Sequence, residues 1–160
     1  MWQYALAMET IAPSRFEAWR ALLEAHTRLT GALEHDLSTH HTLPLSWYET
    51  LVQLDASPSG RMRMTDLAES VLLSKSGLTR LVDKLVTAEL VERFTDLDDR
   101  RSTLVALTEA GAARLREATP TYRAGVKRHF AEQISDSDAE VLTASLGRCI
   151  EAVLHEAHNR

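Results

Sequence analysis

Ser74, Lys75, Ser76, Thr79 and Arg80, followed by Lys84, gather hydroxyl donors and cations within a short stretch of chain. At a helical period of 3.6 they share the start and outward face of one helix. The chemistry open to such a face is recognition. Ammonium and guanidinium groups meet phosphate, and a planar guanidinium can grip a guanine edge through two parallel hydrogen bonds. Arg80 is the candidate for that two-bond contact. Lys75 and Lys84 suit phosphates, which fix register without reading sequence. A second cationic pair, Arg100-Arg101, follows Asp98-Asp99 in a polar connector. An arginine on an outward face is ordinarily a solvated charge, so the assignment depends on the element that carries it.

Covalent catalysis finds little support. The chain has no Gly-x-Ser-x-Gly elbow, no phosphate-cradling glycine loop and no His-Glu-x-x-His pair, and only 6 of its 160 residues are glycine. Asp98-Asp99 suits a turn better than a catalytic dyad, because adjacent side chains point apart. Metal chemistry is the stronger competitor. His35, His40 and His41 cluster late in the first helix, and His155 and His158 sit one turn apart near the end. Neither group has the tight spacing of a tetrahedral zinc site, so no metal and no cofactor is expected. Cys149 falls on an apolar helix stripe, where cysteine acts as a small inert hydrophobe.

With 44% apolar and 26% charged residues, the chain has the composition of a single globular domain. No apolar run reaches the ~20 residues of a membrane span, and Met1 to Ala12 lacks the marks of a secretory signal. One cysteine gives no disulfide framework, and a cytoplasmic location is expected. The net charge of −5 argues weakly against a polyanionic partner. From Arg61 to Thr103, however, basic and acidic residues balance at eight each, so the excess of acid lies elsewhere.

The elements that must position these residues follow from periodicity. From Ser14, apolar positions at Phe16, Trp19, Leu22, Leu23, His26, Leu29, Leu33 and Leu37 mark a long amphipathic helix. Pro44 and Ser46 open a second, which the turn Ser57-Pro58-Ser59-Gly60 ends. Two short helices follow, the first capped by Thr65 and the second by Ser74 and running to about Val86. The period then changes. Leu90–Phe94 and Thr103–Leu107 read as strands of a hairpin, a wing directly after a helix-turn-helix. Thr108 caps a further helix with a bend at Pro120, and Ser135-Asp136-Ser137-Asp138 caps the last. Its stripe of Val141, Leu142, Leu146, Cys149, Val153 and Leu154 offers more apolar surface than a small lobe can cover, which predicts a homodimer. The fold class is therefore mainly α with a small β-hairpin wing. Dimerisation helices span 14–42 and 109–158, and a winged helix-turn-helix lobe spans 44–108. Within that lobe the recognition helix covers about 74–86 and the wing about 91–107. Trp2, Tyr4 and Leu6 make the first stretch too apolar for a bare tail.

The segment TDLAESVLLSKSGLTRLVDKLVTAELVERFTDLDDRRSTLVALTEAG resembles the MarR (multiple antibiotic resistance regulator) family of bacterial transcription factors. The specific part is DDRRSTLVALTEAG; the flanking helices match in length and order. One departure is Glu89, where the family usually carries glycine before the first wing strand. The resemblance implies a sequence-specific regulator of double-stranded DNA, commonly a repressor. Ser74, Lys75, Ser76, Thr79, Arg80 and Lys84 would then sit on the docking helix. Arg100 and Arg101 would lie at the wing tip, with Arg101 in the minor groove and Asp99 orienting it. The resemblance also implies release by a small, often aromatic and anionic effector bound between the dimer helices and the DNA-binding lobe. Trp19, Arg20, His26, Trp47 and Tyr48 are the candidates near that pocket, against the plainer role of core or interface aromatics. Two alternatives remain open: a winged helix that binds a protein partner, and a metal-responsive regulator of the same fold.

Overall fold

A computed structural model describes residues 11–71, 73–96 and 102–158, with the backbone alone at Lys75, Ala157 and His158. The expected contacts of Asp99, Arg100 and Arg101 lie outside the described residues. Two units are compact by themselves, one ending at Arg123 and the other beginning at Ala124.

In the first unit, helix α1 (Pro13–His41) starts on a proline, whose fixed φ and missing N–H suit a first turn. At 29 residues it is roughly 44 Å long. Only its later half is packed: Leu33 and Leu37 are buried, whereas Trp19, Leu22 and Leu23 are exposed. Helix α2 (Leu45–Ala56) has Pro44 at its N-cap and no side-chain cap of its own. Glu34 of α1 supplies the acceptor instead, taking the Leu45 N–H at 2.7 Å. One carboxylate thus caps one helix and ties it to another. Leu45, Tyr48, Leu51 and Leu54 face inward, and the buried Thr50 hydroxyl donates to the Ser46 carbonyl at 2.7 Å.

Strand β1 (Arg61–Arg63), helix α3 (Met64–Ser70), helix α4 (Lys75–Thr87) and strands β2 (Val91–Thr95) and β3 (Thr103–Leu107) complete a winged helix-turn-helix. The sheet has three strands rather than the two of the expected hairpin, in the order β1-β3-β2, all antiparallel. Met62 pairs with Val105, which also faces Arg93 on its other side. A second expectation is corrected at α3. The helix begins directly from β1 with extended Arg63 at the N-cap, so Thr65 lies inside the helix and donates to Asp66. Ser74 does cap α4, accepting the Gly77 N–H at 3.1 Å. Leu67, Leu78, Val82, Leu85, Val91 and Val105 form the core that holds these elements together.

Glu89 ends α4 with φ 59°, the left-handed region that glycine favours. The Glu89 N–H returns to the Val86 carbonyl at 2.9 Å and the Leu90 N–H to Leu85 at 3.0 Å, which is the Schellman closure. Helix α5 (Glu109–His129) then packs its first turn on this corner. The Thr108 hydroxyl donates to the Glu89 carbonyl at 2.7 Å and accepts the Gly111 N–H at 2.9 Å. A Cβ on Gly111 would stand 1.9 Å from the Leu90 carbonyl oxygen, so the backbones meet where no side chain fits. The helix runs on through Pro120 without interruption.

In the second unit, a short turn (Ala131–Gln133) precedes helix α6 (Asp136–His158). Ser135 and Asp138 cap its start reciprocally. The Ser135 hydroxyl accepts the Asp138 N–H at 3.2 Å, while the Asp138 carboxylate takes the Ser135 N–H at 3.1 Å and its hydroxyl at 2.6 Å. Val141, Leu142, Ile150, Val153 and Leu154 are exposed along α6, Val153 by 66%.

Candidate nucleic-acid interface

Helix α4 divides cleanly by face. Leu78, Leu81, Val82 and Leu85 turn into the core, and Ser74, Ser76, Thr79, Arg80, Asp83 and Lys84 are exposed. Ser74 has a structural duty as well as a candidate binding one, because its oxygen holds the N-terminus of the helix. It also lies 3.3 Å from the Ser76 hydroxyl.

The acid on this face, Asp83, does not stand beside the cations unattended. Arg93 of β2 pairs with it at 2.5 Å and donates a second bond to the Thr79 carbonyl at 3.2 Å. Sequence reading missed this clamp, which ties the first wing strand to α4 and offsets the charge of Asp83. Among the described residues, no ion pair engages Arg80 or Lys84.

A second clamp sits on the other side of the sheet. Arg63 donates twice to one oxygen of Asp96, at 2.9 and 3.2 Å. Asp96 is only 7% exposed, and its N–H bonds the Ser102 carbonyl at 3.0 Å, closing the base of the hairpin. Arg63, Thr65, Thr79, Arg93 and Thr103 line a polar groove of about 430 Å³ beside α4.

The five candidate effector residues do not line one cavity. Trp19, 53% exposed, and Arg20 lie on the unpacked half of α1, where Arg20 borders an open groove with Leu23, Glu24, Thr27 and Arg28. Trp47 lies over the end of α4, against Asp83, Lys84, Thr87 and Ala88. Tyr48 is buried on another side of α2. Its ring centroid is 4.5 Å from that of Tyr122, and its hydroxyl donates to Thr119 at 3.4 Å. Tyr48 and Tyr122 line a cleft of about 270 Å³ with Glu49, Val52, Gln53, Ser70 and Val71. Partial burial raises the Glu49 carboxyl above its usual range, and the charge of His26 opposes the rise. Burial, then the charge of Glu49 and the Tyr48 phenol, raise Tyr122. Glu49 and Tyr122 were not among the residues chosen from sequence. Among the described residues, no group of three metal-ligating side chains converges, and no helix is long and apolar enough to cross a membrane.

Residues 43–103 match the model of the MarR family. Across 91% of this chain and 97% of the other, the fold superposes on AbsC, a MarR family transcriptional regulator from Streptomyces coelicolor, with TM-score 0.85 and 35% identity. Sco3205, a MarR family regulator from the same organism solved in complex with DNA, matches with TM-score 0.84 and 26% identity, over 89% of this chain and 93% of that one. Among curated relatives, the HTH-type transcriptional regulator YfiV of Bacillus subtilis is 35% identical over 81 residues, 51% of this chain. The chain spans about half of that relative's length, 51%. A winged helix-turn-helix with a cation-bearing outer helix face, matched nearly end to end at this identity, has one family assignment: the chain belongs to the MarR family.

Proposed function

We propose that the chain is a cytoplasmic, homodimeric regulator of transcription that binds double-stranded DNA, acts as a repressor and lets go when a small molecule binds. The observation that carries it is the outer face of α4. Ser76, Thr79, Arg80 and Lys84 are exposed there while the neighbouring acid is held by Arg93. A helix of this kind enters the major groove by its N-terminal half, so Arg80 takes a base edge and Lys75 and Lys84 take phosphates. Asp99, Arg100 and Arg101 carry the wing contact. Likeness to a DNA-bound relative, Sco3205, supports the same docking for this chain.

The exposed apolar stripes of α1 and α6 are where two copies meet, which makes residues 14–42 and 109–158 the dimerisation helices. The lobe from 44 to 108 reads the DNA. A two-fold dimer reads a pseudo-palindrome, and the effector works by binding better to the recognition-helix spacing that cannot dock twice. Selection of bound duplexes from a random pool tests this. The expected product is an inverted repeat with half-site centres about one helical turn, roughly 10 base pairs, apart. A pool that stays random, or that yields one unrepeated half-site, would overturn it.

A further inference from the structure

The cleft beside Tyr48 has a chemistry of its own. One wall is aromatic, with the Tyr48 and Tyr122 rings inclined at 30° and their centroids 4.5 Å apart. The polar lining consists of the Glu49 carboxylate, the Gln53 amide, the Ser70 hydroxyl and the Tyr122 phenol. The Ser70 hydroxyl already donates to the Leu67 carbonyl at 2.9 Å, so toward the cleft it offers lone pairs. Among the described residues, neither lysine nor arginine lines the cleft.

An aromatic acid placed here would set its carboxylate near Glu49 with no fixed cation to offset the repulsion. A protonated amine has the opposite fit. Its N–H groups meet a carboxylate, and its charge lies over or beside two phenol rings whose faces are negative. At about 270 Å³ the space lies just below the usual range of small-molecule sites and has room for no more than a one-ring ligand. His26 is the titratable group whose charge acts on Glu49.

We propose that this cleft binds a one-ring aromatic or aralkyl ammonium, with Glu49 as the anionic anchor and Tyr48 and Tyr122 as the ring wall. This rests on the reading of the chain as a ligand-released regulator and gives its effector the opposite charge to an aromatic acid. The partial desolvation that raises the Glu49 carboxyl and the Tyr122 phenol agrees with it.

Calorimetric titration of the full-length protein at pH 7 with tyramine and with 4-hydroxyphenylacetate tests the proposal, since the two probes share a ring and differ in charge. Tyramine is expected to bind at least tenfold more tightly. Glu49→Gln keeps the shape and exposed position of the side chain and is expected to remove that preference, with an unchanged melting temperature as the check on folding. Tyr122→Phe keeps the ring and is expected to hold the preference within about threefold. Equal or tighter binding of the acid, no binding of either probe, or a preference that survives Glu49→Gln would each overturn the proposal. Calorimetry needs no DNA, so these outcomes stand apart from failure of the regulator reading, which the duplex selection reports on the same preparation.

Discussion

Glu89 holds a backbone conformation that costs an L-residue about 1–2 kcal/mol, at the corner where α4 turns into the wing. Glycine relieves that strain and gives part of the gain back as chain entropy. Glu89→Gly should therefore stabilise by about 0.5–1 kcal/mol, a melting rise of a few degrees by differential scanning fluorimetry. Gly111 is the reverse case. A methyl group there strikes the Leu90 carbonyl oxygen, which belongs to backbone locked by the Schellman bonds and by Thr108. Gly111→Ala should cost about 3 kcal/mol or more, the upper end of overpacking; a loss under about 1 kcal/mol in urea would show that the corner can move. Both positions bear on reading the sequence. The glycine of LTEAG and the glutamate before the first wing strand are visible as letters, but only the meeting of two backbones says why one tolerates no side chain and the other carries one under strain.

At the scale of elements, two arginine clamps hold the wing, and they are unequal. Asp96 is nearly buried, whereas the Asp83 side chain is 55% exposed and its pair with Arg93 is open to solvent. Removing Arg63 leaves a desolvated carboxylate without a charge partner it now has, and Arg63→Met should cost about 1.5–3 kcal/mol. Arg93→Met should cost under about 1 kcal/mol, as exposed pairs do. Urea midpoints of the two variants check the order, and a larger loss at Arg93 would contradict it. At the start of α6, hydrogen bonds from the Ser135 hydroxyl and N–H hold Asp138 below the usual carboxylate range. A carboxyl lowered in the folded state adds stability above its unfolded pKa and loses it as pH falls through the folded value. The protection factors of amides in the first turn of α6, exchange rates taken relative to the intrinsic rate at each pH, should therefore fall on acidification below the carboxylate range, and Asp138→Asn should flatten that dependence.

Helix α4 was legible because its signals are local: a serine cap, four inward leucine and valine positions at period 3.6, and outward hydroxyls and cations. Strand β1 was not, because three residues make a strand only by pairing with β3, more than 40 residues away. Trp47 and Tyr48 were grouped as neighbours in sequence, yet successive helical residues point about 100° apart. They therefore face different elements, one toward α4 and the other toward Tyr122. The pairing of Tyr48 with Tyr122 depends on how α2 meets α5, which no local pattern records.

The whole molecule carries apolar surface that neither unit covers by itself. Ile150 and Val153 are 60% and 66% exposed, and the leading half of α1 adds Trp19, Leu22 and Leu23. Large apolar side chains left this exposed on each unit mark an association site. Light scattering after gel filtration should give a dimer for the wild-type protein. Ile150→Glu with Val153→Glu should give a monomer of unchanged helix content, and a dimer that survives both charges would place the interface elsewhere. Specific binding to a two-fold site should fall with the dimer, because each half alone keeps only its own share of contacts.

Fluorescence anisotropy at about 150 mM salt, where the Debye length is about 8 Å and long-range attraction is screened, tests the central claim most directly. Wild-type protein and Arg80→Ala would each be titrated with the duplex enriched by selection and with a scrambled duplex of the same composition. The wild type should prefer the selected duplex by about 10³ or more. Arg80→Ala should cut that ratio tenfold or more, the size of one lost two-bond contact to a base, while leaving the scrambled affinity nearly unchanged. Equal binding of both duplexes by the wild type, or an equal loss on both in Arg80→Ala, would contradict the assignment of α4 as the element that reads the sequence.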